Sequence, residues 1–217
     1  MALAFFDLDN TLVAGDTAQA FAEYIAASDL PTPDDFLAVN LAYMAEYDAG
    51  TLNLEDYMRY TLSPLFILDT EQRATLIHQF IQDVVKTMAL PKALDLLAQH
   101  QQNGDELIII SATGSHLVAP IAAYLGVKHS LGVDLEYQDE RITGALVGTP
   151  TFREGKVIRA EQWAKDNGHT MDNIYFYSDS HNDLPLLERA HFPIAVDPDP
   201  TLEKIATERG WKVISLR

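Results

Sequence analysis

The 217-residue chain is long enough for one large or two small domains, and its 47% hydrophobic content can form a sizeable core. The 32 Asp and Glu outnumber the 15 Lys and Arg, and the formal charge of −17 disfavours nucleic acid and anionic membranes as partners. With no Cys, no apolar run near the roughly 20 residues that span a bilayer and no signal-peptide pattern, the sequence predicts a soluble cytoplasmic protein without disulfides or Cys-ligated zinc.

The first predicted strand brings two carboxylates to one point. Residues 3–6 form a short apolar run typical of a buried strand in a parallel sheet, and Asp7 and Asp9 follow it. Open α/β sheets bind ligands at the carboxyl ends of their strands, so both side chains are expected near a substrate. Crowded carboxylates repel each other, and a hard divalent cation relieves that repulsion. The DxD pattern alone is weak, because Asp197-Pro-Asp199 repeats it in what we interpret as a turn.

Helical patterns fill the next part of the chain without a strand signal. The predicted helices cover residues 18–27, 34–47, 54–62 and a longer stretch from residue 70. Asp34 is the predicted N-cap of the second helix. A helical block between one strand and the rest of an α/β pattern is typical of an inserted domain. We therefore expect an α/β catalytic core of residues 1–15 and 88–217 and a small helical domain of residues 16–87.

The α/β pattern resumes at Pro91. Strands are predicted at residues 107–110, 133–137, 142–147, 174–177, 193–196 and 213–215, the second and third forming a hairpin. Helices are predicted at residues 91–102, 116–125, 156–167 and 184–189. Polar residues follow two of the strands, namely Ser111 after the first and Asp179 and Asp183 after the fourth. Lys156 stands alone at a helix start between them.

These residues, in this order, resemble four motifs of the haloacid dehalogenase superfamily, specifically its phosphoserine-phosphatase-like branch. FDLDNT is similar to the first motif, IISAT to the second, Lys156 to the third and SDSHNDLP to the fourth. The resemblance covers nearly the whole chain. It implies a Rossmann-like parallel sheet flanked by helices, with a small all-helical cap domain inserted after the first strand.

The resemblance implies a catalytic pair and a magnesium site. Asp7 would be the nucleophile that forms an aspartyl-phosphate, and Asp9 would be the general acid/base. The implied ligands of Mg²⁺ are Asp7, the main-chain carbonyl of Asp9, Asp179 and, directly or through a water, Asp183. Asp183 has a second interpretation, since it precedes the helix predicted at residues 184–189 and is able to cap it.

The resemblance also implies a phosphate-binding group. Its members are Ser111, the N–H of Ala112, Lys156 and Asn182. Lys156 would in addition stabilise the transition state, supplying local positive charge in a strongly acidic chain. Lys156 and Ser111 also have a structural interpretation when each is considered without the motifs. Lys156 would be a solvent-exposed lysine, and the Ser111 hydroxyl would form a hydrogen bond with the backbone at the end of a strand. His116 and His181 match no motif position, and we expect them to be loop or cap residues.

Two further residues are candidates for substrate specificity. Asp16 lies nine residues after Asp7, where phosphoserine phosphatases carry a Glu, and Arg59 aligns with an Arg of their cap. The chain is also similar to bacterial members assigned as histidinol-phosphatases, through AGDT, TFREGK, YSDSHNDLPLLE and AVDPDPTL. Histidinol phosphate has an amine but no carboxylate, so Asp16 suits it whereas Arg59 would lack a partner.

The implied function is hydrolysis of a small-molecule phosphate monoester with Mg²⁺ as cofactor. We expect an amine-bearing alcohol phosphate as substrate, with histidinol phosphate slightly ahead of phosphoserine. A phosphotransferase that passes the same phosphoryl group to an alcohol is one alternative. A non-catalytic phospholigand-binding protein is another, although such a protein usually lacks one of the motifs. The sequence does not indicate an oligomeric state.

Overall fold

The protein, described by a computed structural model over residues 2–217, is organised around a parallel sheet. The strands of this sheet are β1 (Leu3–Phe6), β2 (Glu106–Gly114), β3 (His129–Val133), β6 (Ile174–Ser178), β7 (Phe192–Val196) and β8 (Lys212–Ile214). Their order is β3-β2-β1-β6-β7-β8, and every neighbouring pair is parallel. Leu135–Gln138 (β4) and Arg141–Leu146 (β5) form a separate antiparallel pair. The predicted α/β fold with a parallel sheet is confirmed.

Helices lie before, between and after these strands. The first group is α1 (Thr17–Ala26), α2 (Phe36–Ala49), α3 (Leu54–Thr61), α4 (Thr70–Phe80) and α5 (Lys86–Met88), with a π-helical turn at Ile81–Val85 that joins α4 to α5. We call residues 17–88 the helical segment. The second group is α6 (Pro91–Gln102), α7 (Ser115–Tyr124), α8 (Glu154–Asp166), α9 (Leu184–Arg189) and α10 (Pro200–Arg209). None of the helices seen in residues 2–217 is long and apolar enough to cross a membrane.

The central strand β1 explains why the sheet is covered on both faces. All four of its residues are buried, and successive side chains point to opposite faces. Phe5 packs in a cluster to which α8, α9 and α10 contribute, whereas Phe6 packs in a cluster with α6, α7 and the helical segment. Phe6 is in register with Ile109 of β2 and Tyr177 of β6. The residues that follow these three therefore leave the sheet at the same edge.

Two elements were not predicted. Strand β3 is an edge strand whose first residues, His129 and Ser130, are only partly buried, so it lacks the apolar run of a central strand. Helix α10 follows the turn predicted at Asp197-Pro-Asp199. Asp199 caps that helix by accepting hydrogen bonds from the N–H groups of Thr201 (2.8 Å) and Leu202 (2.9 Å).

The start of α2 differs from the sequence prediction by one residue. Asp35, and not Asp34, precedes the first helical residue, and its side chain makes no capping hydrogen bond. The Asp35 carboxylate instead accepts a hydrogen bond from the Tyr60 hydroxyl at 2.9 Å. Asp is a residue type that often caps helices, but the hydrogen bond from Tyr60 on α3 competes for the Asp35 carboxylate, which explains why Asp35 does not cap α2.

Candidate active site

A buried lysine joins two of the predicted site carboxylates. Lys156 is 1% exposed, and its Nζ donates to Oδ1 of Asp7 and to Oδ2 of Asp183, both at 2.7 Å. The Ser178 hydroxyl donates to the same Asp183 oxygen at 2.6 Å. Burial by itself would lower the pKa of Lys156, but the carboxylates of Asp183 and Asp7 more than offset this and raise it. Lys156 is therefore a permanent cation that lies behind Asp7 and does not itself line the cavity.

A tight turn before α8 aims this lysine at the sheet edge. Gly155 lies so close to the preceding loop that an added Cβ would be 1.9 Å from the Pro150 carbonyl oxygen. Arg153, two residues earlier, has a positive φ of 52°. The backbone thus needs glycine at position 155, which explains the Glu-Gly-Lys sequence at the start of the helix.

Asp9 is held by three hydrogen bonds from two directions. Its Oδ2 accepts from the hydroxyls of Thr113 (2.8 Å) and Ser111 (3.2 Å), both from the end of β2. Its Oδ1 accepts from the backbone N–H of Thr17 at 2.6 Å, the first residue of α1. The predicted general acid/base is therefore oriented by the sheet edge and by the helical segment together. Ala112 lines the same cavity as these residues.

The remaining carboxylates lie close enough to perturb one another. Burial, followed by the charge of Asp183, raises the pKa of Asp179 to about 7. Burial likewise raises the pKa of Asp7 well above its usual value, although Lys156 acts in the opposite direction. Thr11 steadies Asp179, accepting its backbone N–H at 3.1 Å and donating to Oδ1 at 3.3 Å. Burial makes these carboxyl groups harder to ionise, and additional positive charge nearby would stabilise their charged forms.

The oxygen-only donor set suits a hard cation such as Mg²⁺. Within residues 2–217, no three His, Asp or Glu side chains converge closely enough to hold a metal by themselves. The predicted magnesium site does not require such a cluster. It uses the carboxylates of Asp7 and Asp179 with a main-chain carbonyl and waters, and it assigns Asp183 a supporting place. The residues present therefore fit the predicted ion.

Asn182 does not line the cavity. Its Nδ2 donates to the carbonyl of Tyr47 at 3.2 Å, and its Oδ1 accepts from Nε of Arg153 at 3.2 Å. Nη2 of the same arginine donates to the carbonyl of Gly50 at 2.7 Å. The Tyr47 carbonyl also accepts the Gly50 N–H at 3.0 Å, so the Asn182 amide adds a second hydrogen bond at the C-terminal end of α2. The structure thus places Asn182 between the core and the helical segment, and its phosphate-binding role stays a prediction.

The two predicted specificity residues lie in different places. Asp16 lines the cavity and caps α1, its Oδ1 accepting the Gln19 N–H at 2.8 Å. Arg59 does not line it: the side chain is 59% exposed and pairs with Glu55 at 3.3 Å on the outside of α3. Tyr57, two residues earlier and about 200° around the helix, is the residue that faces the cavity. Helix phase therefore explains why Arg59 is not brought to the site.

The cavity itself has a volume of about 540 Å³ and two unlike walls. Its carboxylates are Asp7, Asp9, Asp16, Asp179 and Asp199. The helical segment forms the other wall, which consists of Ala18, Gln19, Met44, Tyr47, Leu52, Leu54 and Tyr57. Burial raises the pKa of both tyrosines, so their hydroxyls are neutral. The floor is suited to charge and the wall to an apolar or aromatic body.

Sequence reasoning missed a histidine–aspartate pair at the rim of this cavity. Nδ1 of His181 lies 2.9 Å from Oδ2 of Asp199, and the same oxygen accepts the His181 backbone N–H at 2.6 Å. Both residues line the cavity. Asp199 carried a detectable signal, because an Asp before Pro200 is typical of a helix N-cap. No local pattern, however, places it against His181.

Comparison with known proteins gives a consistent assignment. A family model described as haloacid dehalogenase-like hydrolase matches residues 4–188. A histidinol-phosphatase of Neisseria meningitidis is 36% identical over 99% of both chains. A phosphoserine phosphatase of Mycobacterium tuberculosis is 31% identical over 100% of this chain and 71% of its own length. A solved structure of a Bordetella pertussis protein of unknown function is 39% identical, with a TM-score of 0.91 over 100% of this chain and 99% of that one.

The motifs, the parallel sheet and these similarities agree with one another. The four motif regions lie at one sheet edge, as the resemblance implied, and the matched family spans most of the chain. The chain therefore belongs to the haloacid dehalogenase-like hydrolase family, and the prediction of a phosphatase of that family is confirmed at the level of enzyme class.

Proposed function

We propose that this protein is a Mg²⁺-dependent phosphomonoesterase acting on a small alcohol phosphate that carries an amine, with histidinol phosphate as the favoured substrate. One observation carries the choice of substrate. The cavity is lined by five aspartates, and its lining within residues 2–217 contains neither arginine nor lysine. Such a site attracts an ammonium group and repels a free carboxylate.

The chemistry begins with Asp7. Lys156 engages Oδ1 of this residue, and we assign Oδ2 as the oxygen that attacks phosphorus. The new bond joins Oδ2 to phosphorus, and the ester bond between phosphorus and the leaving oxygen breaks. Asp9, in its acid form, gives a proton to that oxygen, so that a neutral alcohol leaves and Asp7 carries an aspartyl-phosphate.

The second step regenerates the enzyme. Asp9, now a carboxylate, takes a proton from a water that attacks the same phosphorus. The bond between phosphorus and Asp7 breaks, inorganic phosphate forms and the nucleophile is restored. Ser111 and Thr113 keep the Asp9 carboxyl in place through both proton transfers. The N–H of Ala112 and the Lys156 ammonium are assigned to the phosphoryl oxygens.

Mg²⁺ would be held by Asp7, the main-chain carbonyl of Asp9 and Asp179, with Asp183 in support. When bound, it would neutralise negative charge on the phosphoryl group. The raised pKa values of Asp7 and Asp179 support this assignment, because they reflect buried carboxylates without enough positive charge around them.

The leaving group would be read by residues 16–87, which we propose as the cap domain. We assign Asp16 to the substrate amine because it lines the cavity, and the apolar wall around Tyr47 and Tyr57 suits a flat ring such as imidazole. The Neisseria meningitidis relative supports histidinol phosphate. The Mycobacterium tuberculosis relative makes phosphoserine the second candidate, although its carboxylate would need a cation that this cavity lining does not offer.

The test is phosphate release from histidinol phosphate, phosphoserine, phosphoethanolamine and p-nitrophenyl phosphate, with Mg²⁺ or with EDTA. Activity should require Mg²⁺ and disappear in Asp7→Asn, and kcat/KM should be highest for histidinol phosphate. Preference for phosphoserine would reverse the choice of substrate. Formation of new phosphate esters when alcohols are added would identify a phosphotransferase. Binding without turnover would identify a phospholigand-binding protein.

A further inference from the structure

A second cavity lies between the helical segment and the core. Its volume is about 570 Å³, within the range of small-molecule sites. Residues of α4 and of the following π-helical turn form one side, and residues of α7 form the other. The residues that line it are all different from those that line the active-site cavity. The phosphatase chemistry proposed above uses none of them.

Arg73, on α4, is a buried cation without an acidic partner. It is 6% exposed, and its guanidinium donates only to neutral oxygens, the Glu140 carbonyl at 3.2 Å and the Thr70 hydroxyl at 3.4 Å. The guanidinium carbon lies 5.1 Å from the centre of the Tyr137 ring. No carboxylate in the described part of the chain forms an ion pair with it. A buried charge is stable only when it is compensated, so this arrangement leaves a place for an anion.

His116, on α7, provides a second unsatisfied group in the same cavity. Both of its ring nitrogens are inaccessible to solvent, and neither has a hydrogen-bond partner in residues 2–217. The ring lies against Gly114, where an added Cβ would be 2.5 Å from Nδ1. Burial, followed by the charge of Arg73, lowers the pKa of His116 to about 3, so the ring is neutral and carries one N–H donor and one acceptor.

We propose that this cavity binds a small monocarboxylate with an apolar body. Arg73 supplies the counter-charge, and the neutral ring of His116 lines the α7 side of the cavity, where the ligand would pack against it. Ile77, Ile81 and Ala119 line the apolar remainder of the cavity. A single guanidinium in mostly apolar surroundings matches one negative charge better than a phosphate or a nucleotide. Because the ligand touches both α4 and α7, it links the helical segment to the core.

The experiment measures binding by calorimetry and follows the His116 ring by NMR. The probes are isovalerate, phenylacetate and indole-3-acetate, with phenylacetamide as a neutral analogue of the second. At least one acid should bind saturably, shift the His116 ring signals and, for phenylacetate, bind at least about tenfold more tightly than the amide. Arg73→Met should weaken binding by at least about tenfold. Arg189→Met, which removes a surface arginine paired with Glu161, should leave it unchanged.

A second variant keeps the test decisive if Arg73→Met does not fold. Ala123→Trp fills the cavity from an exposed position of α7 and retains both Arg73 and His116. It should abolish binding without loss of the folded state, as judged by circular dichroism and thermal unfolding. Three results would overturn the proposal: no saturable binding of any acid, equal binding of acid and amide, or binding that survives Ala123→Trp.

Discussion

The floor and the wall of the active-site cavity are built on different physical principles. The floor is charged and tightly connected: the buried Lys156 behind it lies 2.7 Å from Asp7 and from Asp183, and the hydroxyls of Ser111 and Thr113 fix Asp9. The wall is contributed by the helical segment and is mainly apolar, and Asp16 borders it immediately before the first residue of α1. In the function proposed above, the floor contacts the groups common to all phosphate esters, whereas the wall contacts the variable part of the substrate. Substitutions in the floor should therefore lower kcat for every substrate, and substitutions in the wall should change KM for particular ones.

The largest effect is expected from Lys156→Met. The change leaves Asp7 and Asp183 as buried carboxylates without their cation, which should cost about 3–5 kcal/mol of the free energy of unfolding. It should also lower kcat at least about 100-fold for every substrate in the panel, because phosphoryl charge is no longer compensated. Urea unfolding and steady-state kinetics measure the two effects.

Two further variants separate stability from catalysis in the floor. Lys156→Met combined with Asp183→Asn should recover part of the lost stability, since one buried charge is removed, but should recover no activity. Lys165→Met, at the exposed end of the same helix, should change neither quantity. A stable and active Lys156→Met protein would contradict the role given to the floor.

The second-largest effect is expected from Thr113→Val, which acts on Asp9, the proposed acid/base residue. Thr113→Val keeps the shape of the side chain but removes the 2.8 Å hydrogen bond to Asp9. We expect kcat to fall about 10-fold to 100-fold for alkyl phosphates, whose leaving oxygen needs a proton. The loss should be smaller for p-nitrophenyl phosphate, since its leaving group departs without protonation. Equal losses for both would assign Thr113 a structural role only, and Thr143→Val on β5 is the matched control.

The sequence predicted the floor better than the wall, and the reason is physical. Residues 3–6 and 91–102 were bounded correctly because a buried central strand has a continuous apolar run and a helix starting at Pro91 stops before Asn103-Gly104. The polar residues that follow such strands share one sheet edge once the strands are parallel. For the residues of the floor, the local sequence pattern is therefore enough to predict the position in the folded protein.

Elsewhere, position depends on contacts that no local pattern records. The pairing of His181 with Asp199 joins a 3₁₀ turn at His181–Asp183 to the N-cap of α10, and the sequence predicted Asp199 only as part of a turn. Asn182 sits inside a motif, yet its amide is drawn to the end of α2. In α3, a shift of two residues decides whether a side chain faces the cavity or the solvent. The sequence of α3 alone does not determine which of its faces packs against the cavity.

A moderate effect is expected at Asp16, the carboxylate that borders the wall. Asp16→Asn removes the negative charge but preserves the helix cap, because Asn caps as well as Asp does. KM should rise about tenfold for histidinol phosphate and phosphoethanolamine and stay unchanged for p-nitrophenyl phosphate. The thermal midpoint should not move. A uniform rise in KM for all three substrates would remove Asp16 from substrate recognition.

The smallest effect is expected on the outer face of the same wall. Arg59→Ala removes a side chain that is 59% exposed and pairs only with Glu55 one turn earlier, so its ion pair is screened by water. Its kinetic constants should stay within about twofold of the unaltered protein for every substrate, phosphoserine included, as for most exposed sites. Tyr57→Leu, two residues away, should raise KM for histidinol phosphate because its ring lines the cavity. A selective loss of phosphoserine turnover in Arg59→Ala would show that α3 presents this arginine to the substrate, and the division between floor and wall would then need a cationic member in the wall.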